Sequence, residues 1–561
     1  MSSNSLLDEI SKSVSEAFTA HQITIGAVQT RRFPGETIVI VEVPDSHFEA
    51  ALRLASKYDF KIADGFVTVK RYAAPTEAKQ SAKVISLADT KVSTLIELLN
   101  ARSRTSEQQP SLKYIKDATE RVRVAVSRRH HLIFGRRGVG KTALMLEAKQ
   151  QIEAKGAQTL WVNIQSMRSL TPEHAFLSVS SRICELIEYF FFDWKTPAQS
   201  PASAKAIKRR LIDQINEPHP SNHKIGLLIS DMQVLLNKFG HESSRDLFIF
   251  VDEIHYLAMA GQPIFLDMLH SISRDNAVWL KIAGIKHQTR WFTDNPPRGL
   301  QTTHDASIIN LDITLENPSK AKNFLVSILQ TYAVESGITT ITSVISNPAL
   351  ERLVIASGAV PRDFLLLCAN SIQVARERPK AKTAGIQDVN SAAGISAKIK
   401  LQELEDDAAS SFGSAQMRVD CLSIIRNFLL NDSAATYFRV EFHDKETHAP
   451  QYALLQSLMD LRLIHLINAS ISAEHEAGKR YEVYALDLSE FSGARLKKKL
   501  KTLDFSQGYL VLKHTGTVEP PRIGNTPNKL LGILRRGPHF NLNKLEGISA
   551  GNKPGARSAE Q

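Results

Sequence analysis

Cysteine is scarce in this sequence of 561 residues. Only Cys184, Cys368 and Cys421 occur, and each stands alone inside an apolar, helix-like stretch. Isolated cysteines exclude the paired spacing of a zinc site and supply no disulfide framework. We interpret them as buried thiols of a reducing compartment, and we therefore expect a cytoplasmic protein.

Long hydrophobic runs are also lacking. A membrane span needs roughly 18 consecutive apolar residues, and the run IEYFFFDW at residues 187–194 is far shorter. The first residues, MSSNSLLDEISK, lack the basic segment and apolar core of a secretory signal. We therefore expect no membrane association. The length indicates several domains with large cores.

Acidic residues are few toward the end of the chain. The formal net charge is +11, but residues 495–561 contain 13 Lys and Arg against 4 Asp and Glu, a local charge of +9. The basic excess is therefore a property of the tail, and it suggests an appended anion-binding segment rather than a basic fold. Such basic tails usually stay disordered and can follow phosphates without reading sequence. Solubility alone is the alternative, and we favour contact with nucleic acid.

The motif GRRGVGKT follows the apolar run HHLIF and precedes the helix-like ALMLEAKQQIEAK. Its spacing, G-x-x-x-x-G-K-T between a strand and a helix, is that of a phosphate-binding loop. Glycines let the backbone curl so that N–H groups face phosphate oxygens, and the dipole of the following helix adds positive potential. The residues expected to bind the nucleotide here are Gly135, Arg136, Arg137, Gly138, Val139, Gly140, Lys141 and Thr142.

Two side chains of this loop have distinct expected roles. Lys141 would reach the β- and γ-phosphates, and Thr142 would be a ligand of Mg²⁺. A glycine-rich turn that merely starts a helix is the alternative, and the complete motif disfavours it. The sequence therefore predicts a site for a nucleoside triphosphate, with ATP and Mg²⁺ as its expected ligands.

An acidic pair supports hydrolysis. LFIFVDEIHYL begins with an unbroken apolar run, which is typical of a buried parallel strand, and Asp252 and Glu253 stand at its end. Ligands bind at the carboxyl ends of strands in open α/β sheets. Asp252 would hold Mg²⁺ through its water shell, and Glu253 would polarise the attacking water.

Two further polar positions are candidates for contacting the γ-phosphate. Lys286 and His287 follow the apolar strand VWLKIAGI, where either side chain would contact the phosphate or simply cap the strand. Arg362 lies in GAVPRD, whose proline suits the first turn of a helix. An arginine at the start of a helix in a lid over the nucleotide would couple hydrolysis to lid movement.

Together these motifs resemble the AAA+ ATPases, and within them the initiator clade of origin-recognition and helicase-loading ATPases. The resemblance rests on GRRGVGKT, FIFVDEIHYL, the polar position after WLKIAGI, and GAVPRD, over roughly residues 111–400. It implies that Arg362 is the sensor-2 arginine and that His287, or Lys286, is sensor 1, where the family usually carries Asn or Thr.

The resemblance also implies an assembly of several subunits, because AAA+ proteins complete the site with an arginine from a neighbour. Arg290 and Arg298 are the candidates for that arginine. The clade often carries a winged helix after the lid, and residues 401–493 supply two helices followed by two strands about a short turn. We therefore expect a homo-oligomer whose winged helix and basic tail bind DNA.

The expected fold class is α/β, with a P-loop parallel sheet and a helical lid, preceded by a small α/β module and followed by a winged helix. The N-terminal module shows no catalytic constellation, so we interpret it as a docking module for a protein partner. The basic patch at residues 205–210 would touch nucleic acid or form a solvated helix face. The predicted domains are an N-terminal module (1–73), a linker containing a helix (74–110), an ATPase core (111–316), a lid (317–400), a winged helix (401–493) and a largely disordered basic tail (494–561).

The leading hypothesis is an ATPase that hydrolyses ATP to drive a conformational switch on DNA and to recruit or load a partner protein. Two alternatives remain open. One is a nucleotide-gated scaffold in signalling or phage defence, as in the STAND-type ATPases. The other is the ATPase regulator of a transposition-type mobile element.

Overall fold

The computed structural model describes most of the chain and divides it into two compact units, residues 1–84 and 85–561. The described residues are 3–33, 36–44, 47–57, 60, 62, 65–71, 86–101, 121–192, 198–396, 414–473, 478–492, 500–506, 509–514 and 527–548. Within these ranges we find no helical segment with the length and hydropathy of a membrane span. The three cysteines are buried and form no disulfide, as predicted, and burial raises the pKa of each thiol to about 12.

The N-terminal unit is a three-stranded sheet with two helices. Its elements are α1 (Ser3–Ala20), β1 (Val28–Phe33), β2 (Glu36–Val43), α2 (Phe48–Lys57) and β3 (Gly65–Arg71). The strand order is β1-β2-β3, with β1 antiparallel and β3 parallel to β2. Strand β2 alternates in burial, so Val39 and Val41 pack into one core with Val14 and Phe18.

The second unit contains a five-stranded sheet, all parallel, in the order β10-β4-β7-β6-β5. These strands are β4 (His130–Phe134), β5 (Gln158–Asn163), β6 (Leu247–Asp252), β7 (Val278–Gly284) and β10 (Ala306–Asn310). Every residue of β4 and β6 is buried, as expected for strands covered on both faces. The predicted parallel α/β sheet is therefore confirmed. The short strands β8 (Phe292–Asp294) and β9 (Pro297–Gly299) form a separate hairpin.

Helices cover the sheet. They are α4 (Arg121–Val126), α5 (Lys141–Ala154), α9 (Gln262–Ser273) and an inserted group between β5 and β6, which comprises α6 (Pro172–Phe190), α7 (Ser200–Ile215) and α8 (Asn222–Ser243). Two cations of the basic patch pair with neighbouring helices: Lys208 with Glu185 at 3.0 Å and Arg210 with Asp231 at 2.7 Å. These pairs favour the solvated-face interpretation of that patch.

A buried lysine lies in the middle of the sheet. Lys281 of β7 donates from Nζ to the carbonyl oxygens of Ser127 (2.7 Å) and Arg129 (2.8 Å), and lies 2.8 Å from His131 Nδ1. Burial lowers the pKa of Lys281 to about 7. Burial, assisted by the charge of Lys281, lowers the pKa of His131 to about 3.

The lid follows β10. It comprises α10 (Pro318–Glu335), α11 (Asn347–Ala356), α12 (Pro361–Glu377) and α13, whose described part covers residues 386–396. Helix α3 (Thr90–Ala101), from the segment predicted as a linker, packs into the same core through Val92, Leu95 and Leu99. Arg376 of α12 fixes it by donating to Leu87 O (2.7 Å) and to Ser93 Oγ (3.0 Å).

The C-terminal segment, residues 414–548, packs into the same hydrophobic core as the lid. It begins with α14 (Ser414–Asn427), β11 (Tyr437–Glu441), α15 (Phe442–Thr447), α16 (Ala449–Asp460), β12 (Ile464–Ser472) and β13 (Arg480–Leu486). The sheet order is β11-β13-β12, antiparallel throughout. A short helix, α17 (Ser489–Ser492), the hairpin of β14 (Lys501–Ser506) and β15 (Tyr509–His514), and α18 (Pro527–Arg535) follow.

The region predicted as a largely disordered tail contains these last elements, so that prediction does not hold for residues 527–548. Leu534, Phe540 and Leu542 are buried in the core of the C-terminal segment. The backbone of Arg439 donates to Pro538 O and accepts from Phe540 N, each at 2.8 Å. Apolar residues spaced among the prolines and glycines thus anchor this stretch, whereas the basic run at residues 495–499 lies outside the described residues.

Candidate active site

The phosphate loop connects β4 to α5. Gly138 and Gly140 have φ angles of +82° and +101°, in the left-handed region where glycine is favoured. A Cβ on Gly138 would lie 2.8 Å from Cβ of Arg362 and 3.1 Å from Cγ1 of Val360. The glycine is therefore required both for the turn and for the close approach of the lid.

Lys141, the first residue of α5, is buried within this loop. Its Nζ donates to the carbonyl oxygens of Gly135 (2.8 Å) and Arg136 (3.1 Å). Burial lowers the pKa of Lys141, while the carboxylates of Asp252 and Asp312 raise it. The ammonium group is thus held at the mouth of the loop by contacts that phosphate oxygens would replace.

Thr142 and Asp252 meet beside the lysine. Thr142 Oγ1 donates to Asp252 Oδ2 at 2.8 Å, and the backbone N–H of Glu253 donates to Asp252 Oδ1 at 2.9 Å. Burial raises the pKa of Asp252, whereas the Thr142 hydroxyl and the charge of Lys141 lower it. A hydroxyl and a carboxylate at this separation fit Mg²⁺, which usually takes one or two protein oxygens and fills its octahedron with water and substrate phosphates.

Glu253 lies among cations. Its backbone is left-handed, with φ 59° and ψ 42°, where the chain turns from β6 into a 3-10 helix at Ile254–Tyr256. Burial and the neighbouring Asp252 raise the pKa of its carboxyl, while Arg137, Lys141 and Arg362 lower it. A carboxylate in this position can accept a proton from water, as a general base must.

The start of α12 lies on the phosphate loop. The backbone N–H of Arg362 donates to Gly138 O at 3.2 Å. The preceding turn has two left-handed residues in succession, Gly358 (φ 54°) and Ala359 (φ 62°), which redirect the chain from α11 into α12. The structure therefore brings Arg362 near enough to Lys141 and Glu253 for its charge to lower the pKa of both groups, and its predicted contact with the γ-phosphate stays a prediction.

Arg136 has a different position from the one expected of a phosphate ligand. Its backbone N–H donates to Asp312 Oδ1 at 2.9 Å, and its guanidinium donates to Ile313 O (2.9 Å) and Gly358 O (3.2 Å). The side chain is 5% exposed. The protein itself uses these donors, so Arg136 connects the loop to the lid turn rather than facing a phosphate.

The two sensor-1 candidates, Lys286 and His287, differ in their surroundings. Lys286 is exposed, whereas His287 Nε2 lies 2.7 Å from Oδ2 of Asp460, the last residue of α16. Gln288 donates to the same carboxylate oxygen. The nitrogen that His287 would offer to a phosphate is therefore engaged by the C-terminal segment.

The two candidates for an arginine acting on a neighbouring subunit are both exposed. Arg290 precedes the β8–β9 hairpin and Arg298 lies within it. Exposure is what a contact with a second subunit requires, and it does not distinguish the two.

Two residues near the site were not predicted from the sequence. Asp312 follows β10 and orients Arg136, and only its place after a buried strand would have indicated it. His255 lies two residues beyond Glu253, and both of its ring nitrogens are buried without a hydrogen-bond partner among the described residues. The available signal was a histidine two residues after the acidic pair in DEIHYL.

Comparison with known proteins gives the same coarse assignment. Residues 124–292, which contain the phosphate loop and Asp252–Glu253, match the family model described as an AAA domain. No curated protein matches the chain.

Several solved structures are similar over most of the chain, at low identity. The Walker-type ATPase of Pyrococcus abyssi is 13% identical over 70% of this chain and 99% of that one, with a TM-score of 0.41. The Orc1 protein of Aeropyrum pernix, solved in complex with DNA, is 16% identical over 73% and 93%, with a TM-score of 0.33. A STAND protein with a tetratricopeptide repeat sensor, from Pyrococcus horikoshii, is 13% identical over 69% and 43%, with a TM-score of 0.27. These scores are low, so the assignment as an ATPase depends on the AAA match and on the geometry of the site.

Proposed function

We propose that this AAA-type P-loop ATPase hydrolyses ATP to drive a conformational switch on DNA, and that the switch recruits or loads a partner protein. The observation that carries the proposal is the contact between lid and loop, where the N–H of Arg362 donates to Gly138 O at 3.2 Å. A lid that starts on the phosphate loop moves when the loop takes up a phosphate. Hydrolysis of the γ-phosphate would therefore change the position of α12.

The chemistry follows from the residues already placed. The loop N–H groups and Lys141 would hold the phosphates of ATP, and Thr142 and Asp252 would hold Mg²⁺, which supplies neutralising charge at the phosphates. Glu253 would accept a hydrogen bond from the attacking water and orient it. Arg362 would pair with the γ-phosphate from the lid side.

Two substitutions test the hydrolytic step. Lys141→Ala should abolish nucleotide binding, because it removes the cation buried in the loop. Glu253→Gln should bind ATP normally and release phosphate at least about 100-fold more slowly, the scale expected for a general base. Nucleotide binding by calorimetry and phosphate release are the measurements. The matched controls are the exposed residues Lys155→Ala and Glu97→Gln, which should behave as wild type. Normal phosphate release by Glu253→Gln would remove the role given to that carboxylate.

Two features support DNA as the platform of the switch. Residues 414–486 follow the order helix, strand, helix, helix, strand, strand, which suits a winged helix. The basic excess of residues 495–561 supplies charge for phosphates. Retention of the full chain on DNA, measured with and without ATP, tests this part. Equal retention on DNA with and without ATP would contradict a nucleotide-driven switch on DNA.

The proposal also includes a homo-oligomer and a protein partner. Exposed Arg290 and Arg298 are available to complete a neighbour's site, and the compact N-terminal unit, which lacks a metal-ligand cluster among its described residues, suits docking. Light scattering with ATP should show a larger particle than without it. Arg290→Ala and Arg298→Ala are then compared. The arginine that acts in trans is the one whose replacement slows hydrolysis and leaves nucleotide binding intact.

One group of contacts favours a second candidate, a nucleotide-gated scaffold. The C-terminal segment contacts both the core and the lid next to the site: Asp460 binds His287, Arg462 pairs with Asp363, and Asn468 donates to Glu316 at 3.1 Å. The ring of His465 also occupies the space that a Cβ on Gly358 would need. A segment held this way is suited to release on nucleotide exchange. DNA retention that is absent at every salt concentration would favour the scaffold.

A further inference from the structure

His255 lies in the middle of the 3-10 helix Ile254–Tyr256 that follows β6, two residues after Glu253. Both of its ring nitrogens are buried, and neither has a hydrogen-bond partner among the described residues. Buried polar atoms in folded proteins are nearly always paired, and exceptions commonly occur where a ligand or ion belongs. The imidazole of His255 is thus a polar group that the described part of the chain does not satisfy.

The surroundings of His255 are cationic. Burial, then the charges of Lys141 and Arg137, lower the pKa of its imidazole to about 3. The ring packs on Tyr256 with centroids 4.8 Å apart, and the guanidinium of Arg137 lies 6.0 Å from the same tyrosine ring. A histidine in this setting is neutral, so it offers one N–H donor and one acceptor nitrogen.

The second histidine near the site is occupied. His287 Nε2 lies 2.7 Å from the carboxylate of Asp460, so this nitrogen is already used. Glu253, at the N-cap of the same 3-10 helix, is near the same cations, Lys141 and Arg137. Of the two histidines, His255 is therefore the one whose ring nitrogens remain available beside the group that would orient water.

We propose that His255 contacts the γ-phosphate of bound ATP, donating its ring N–H to a γ-phosphate oxygen on the side of Glu253. The proposal rests on the ATPase function proposed above. A neutral donor suits this place, because Lys141, Arg137 and Arg362 already supply positive charge. ADP lacks the phosphate that His255 would touch, so the histidine would help the site to distinguish ATP from ADP.

The test is a comparison of affinities in the full-length protein. Calorimetry would measure binding of ADP and of the β,γ-imido analogue of ATP, each with Mg²⁺, to wild type, His255→Phe and His255→Gln. Phe keeps the ring volume and removes both polar atoms, whereas Gln keeps one donor and one acceptor. His223→Phe, at an exposed position on α8, is the matched control, and thermal melting checks that each variant folds.

We expect His255→Phe to bind the analogue about 10- to 100-fold more weakly, as for the loss of a hydrogen bond to a charged group, with ADP affinity within about twofold of wild type. His255→Gln should retain an intermediate affinity for the analogue. Unchanged affinity of His255→Phe for the analogue, or an equal loss for both nucleotides, would overturn the proposal. If the proposed ATPase function were wrong, the result would differ from these outcomes, because the wild-type protein would release no phosphate from ATP.

Discussion

The contact between Asp460 and His287 joins the C-terminal segment to the edge of the candidate site, and breaking it should raise the rate of ATP hydrolysis. Asp460 Oδ2 accepts from His287 Nε2 at 2.7 Å and from the side chain of Gln288. Asp460→Asn keeps the shape of the side chain and removes its charge. An amide oxygen could still accept from both donors, but as a neutral acceptor it would form weaker hydrogen bonds than the carboxylate.

The magnitude follows from the burial of this contact. The side chains of Asp460 and His287 are 6% and 18% exposed, so solvent screens their interaction little. A hydrogen bond to a charged group contributes about 1.5–3 kcal/mol, and about 1.4 kcal/mol changes a population tenfold. If the contact keeps His287 from the γ-phosphate, its removal should raise phosphate release by roughly 10- to 100-fold.

The assay compares steady-state phosphate release with amide hydrogen exchange across α16 and β12. Faster release should accompany faster exchange in these elements, because both report that the C-terminal segment separates from the core. Asp420→Asn, an exposed position on α14, is the matched control. Faster exchange in Asp460→Asn together with ATP hydrolysis at the control rate would refute the coupling, since the contact would then be structural alone.

Two further predictions concern the tail and the buried lysine. Replacing Arg495, Lys497, Lys498 and Lys499 with Gln should reduce the salt dependence of DNA binding. The slope of log K against log salt should fall by about 0.9 for each phosphate that the tail no longer neutralises. Lys155→Gln is the control, and an unchanged slope would assign the DNA contact to another part of the protein. For Lys281, whose folded pKa of about 7 lies below its ordinary 10.5, the unfolded chain binds the proton throughout that interval, so stability should rise as pH increases from about 7 toward 10. Denaturant melts of wild type and Lys281→Met at a series of pH values test this, and an identical pH slope in both proteins would contradict it.

The parts of the structure that the sequence predicts well are those with a local physical cause. Strand β6 is an unbroken apolar run because both faces of the sheet are covered, and its burial follows directly. The left-handed angles of Gly138 and Gly140 follow from the loop motif, since few other residues adopt them. The start of α12 follows from Pro361, which suits the first turn of a helix.

The parts that the sequence could not predict depend on distant residues. His287 and Asp460 are 173 positions apart, and no periodicity indicates that they meet. Helix α3 is a short amphipathic stretch in a polar region, and only the packing of α10 and α12 shows that it belongs to the lid. The basic composition at the end of the chain likewise conceals Phe540 and Leu542, which β11 and α14 bury in the core.

The contacts around the lid turn explain why one phosphate could move a whole segment. Arg136 binds Gly358 O and the N–H of Arg362 binds Gly138 O, so the loop and the start of α12 are connected twice. The next residue, Asp363, pairs with Arg462 of the C-terminal segment. A shift of Arg362 toward a γ-phosphate must therefore carry Asp363 with it and disturb the pair with Arg462. Because Asp363 lies in the first turn of α12, we expect such a shift to reach the C-terminal segment through this pair.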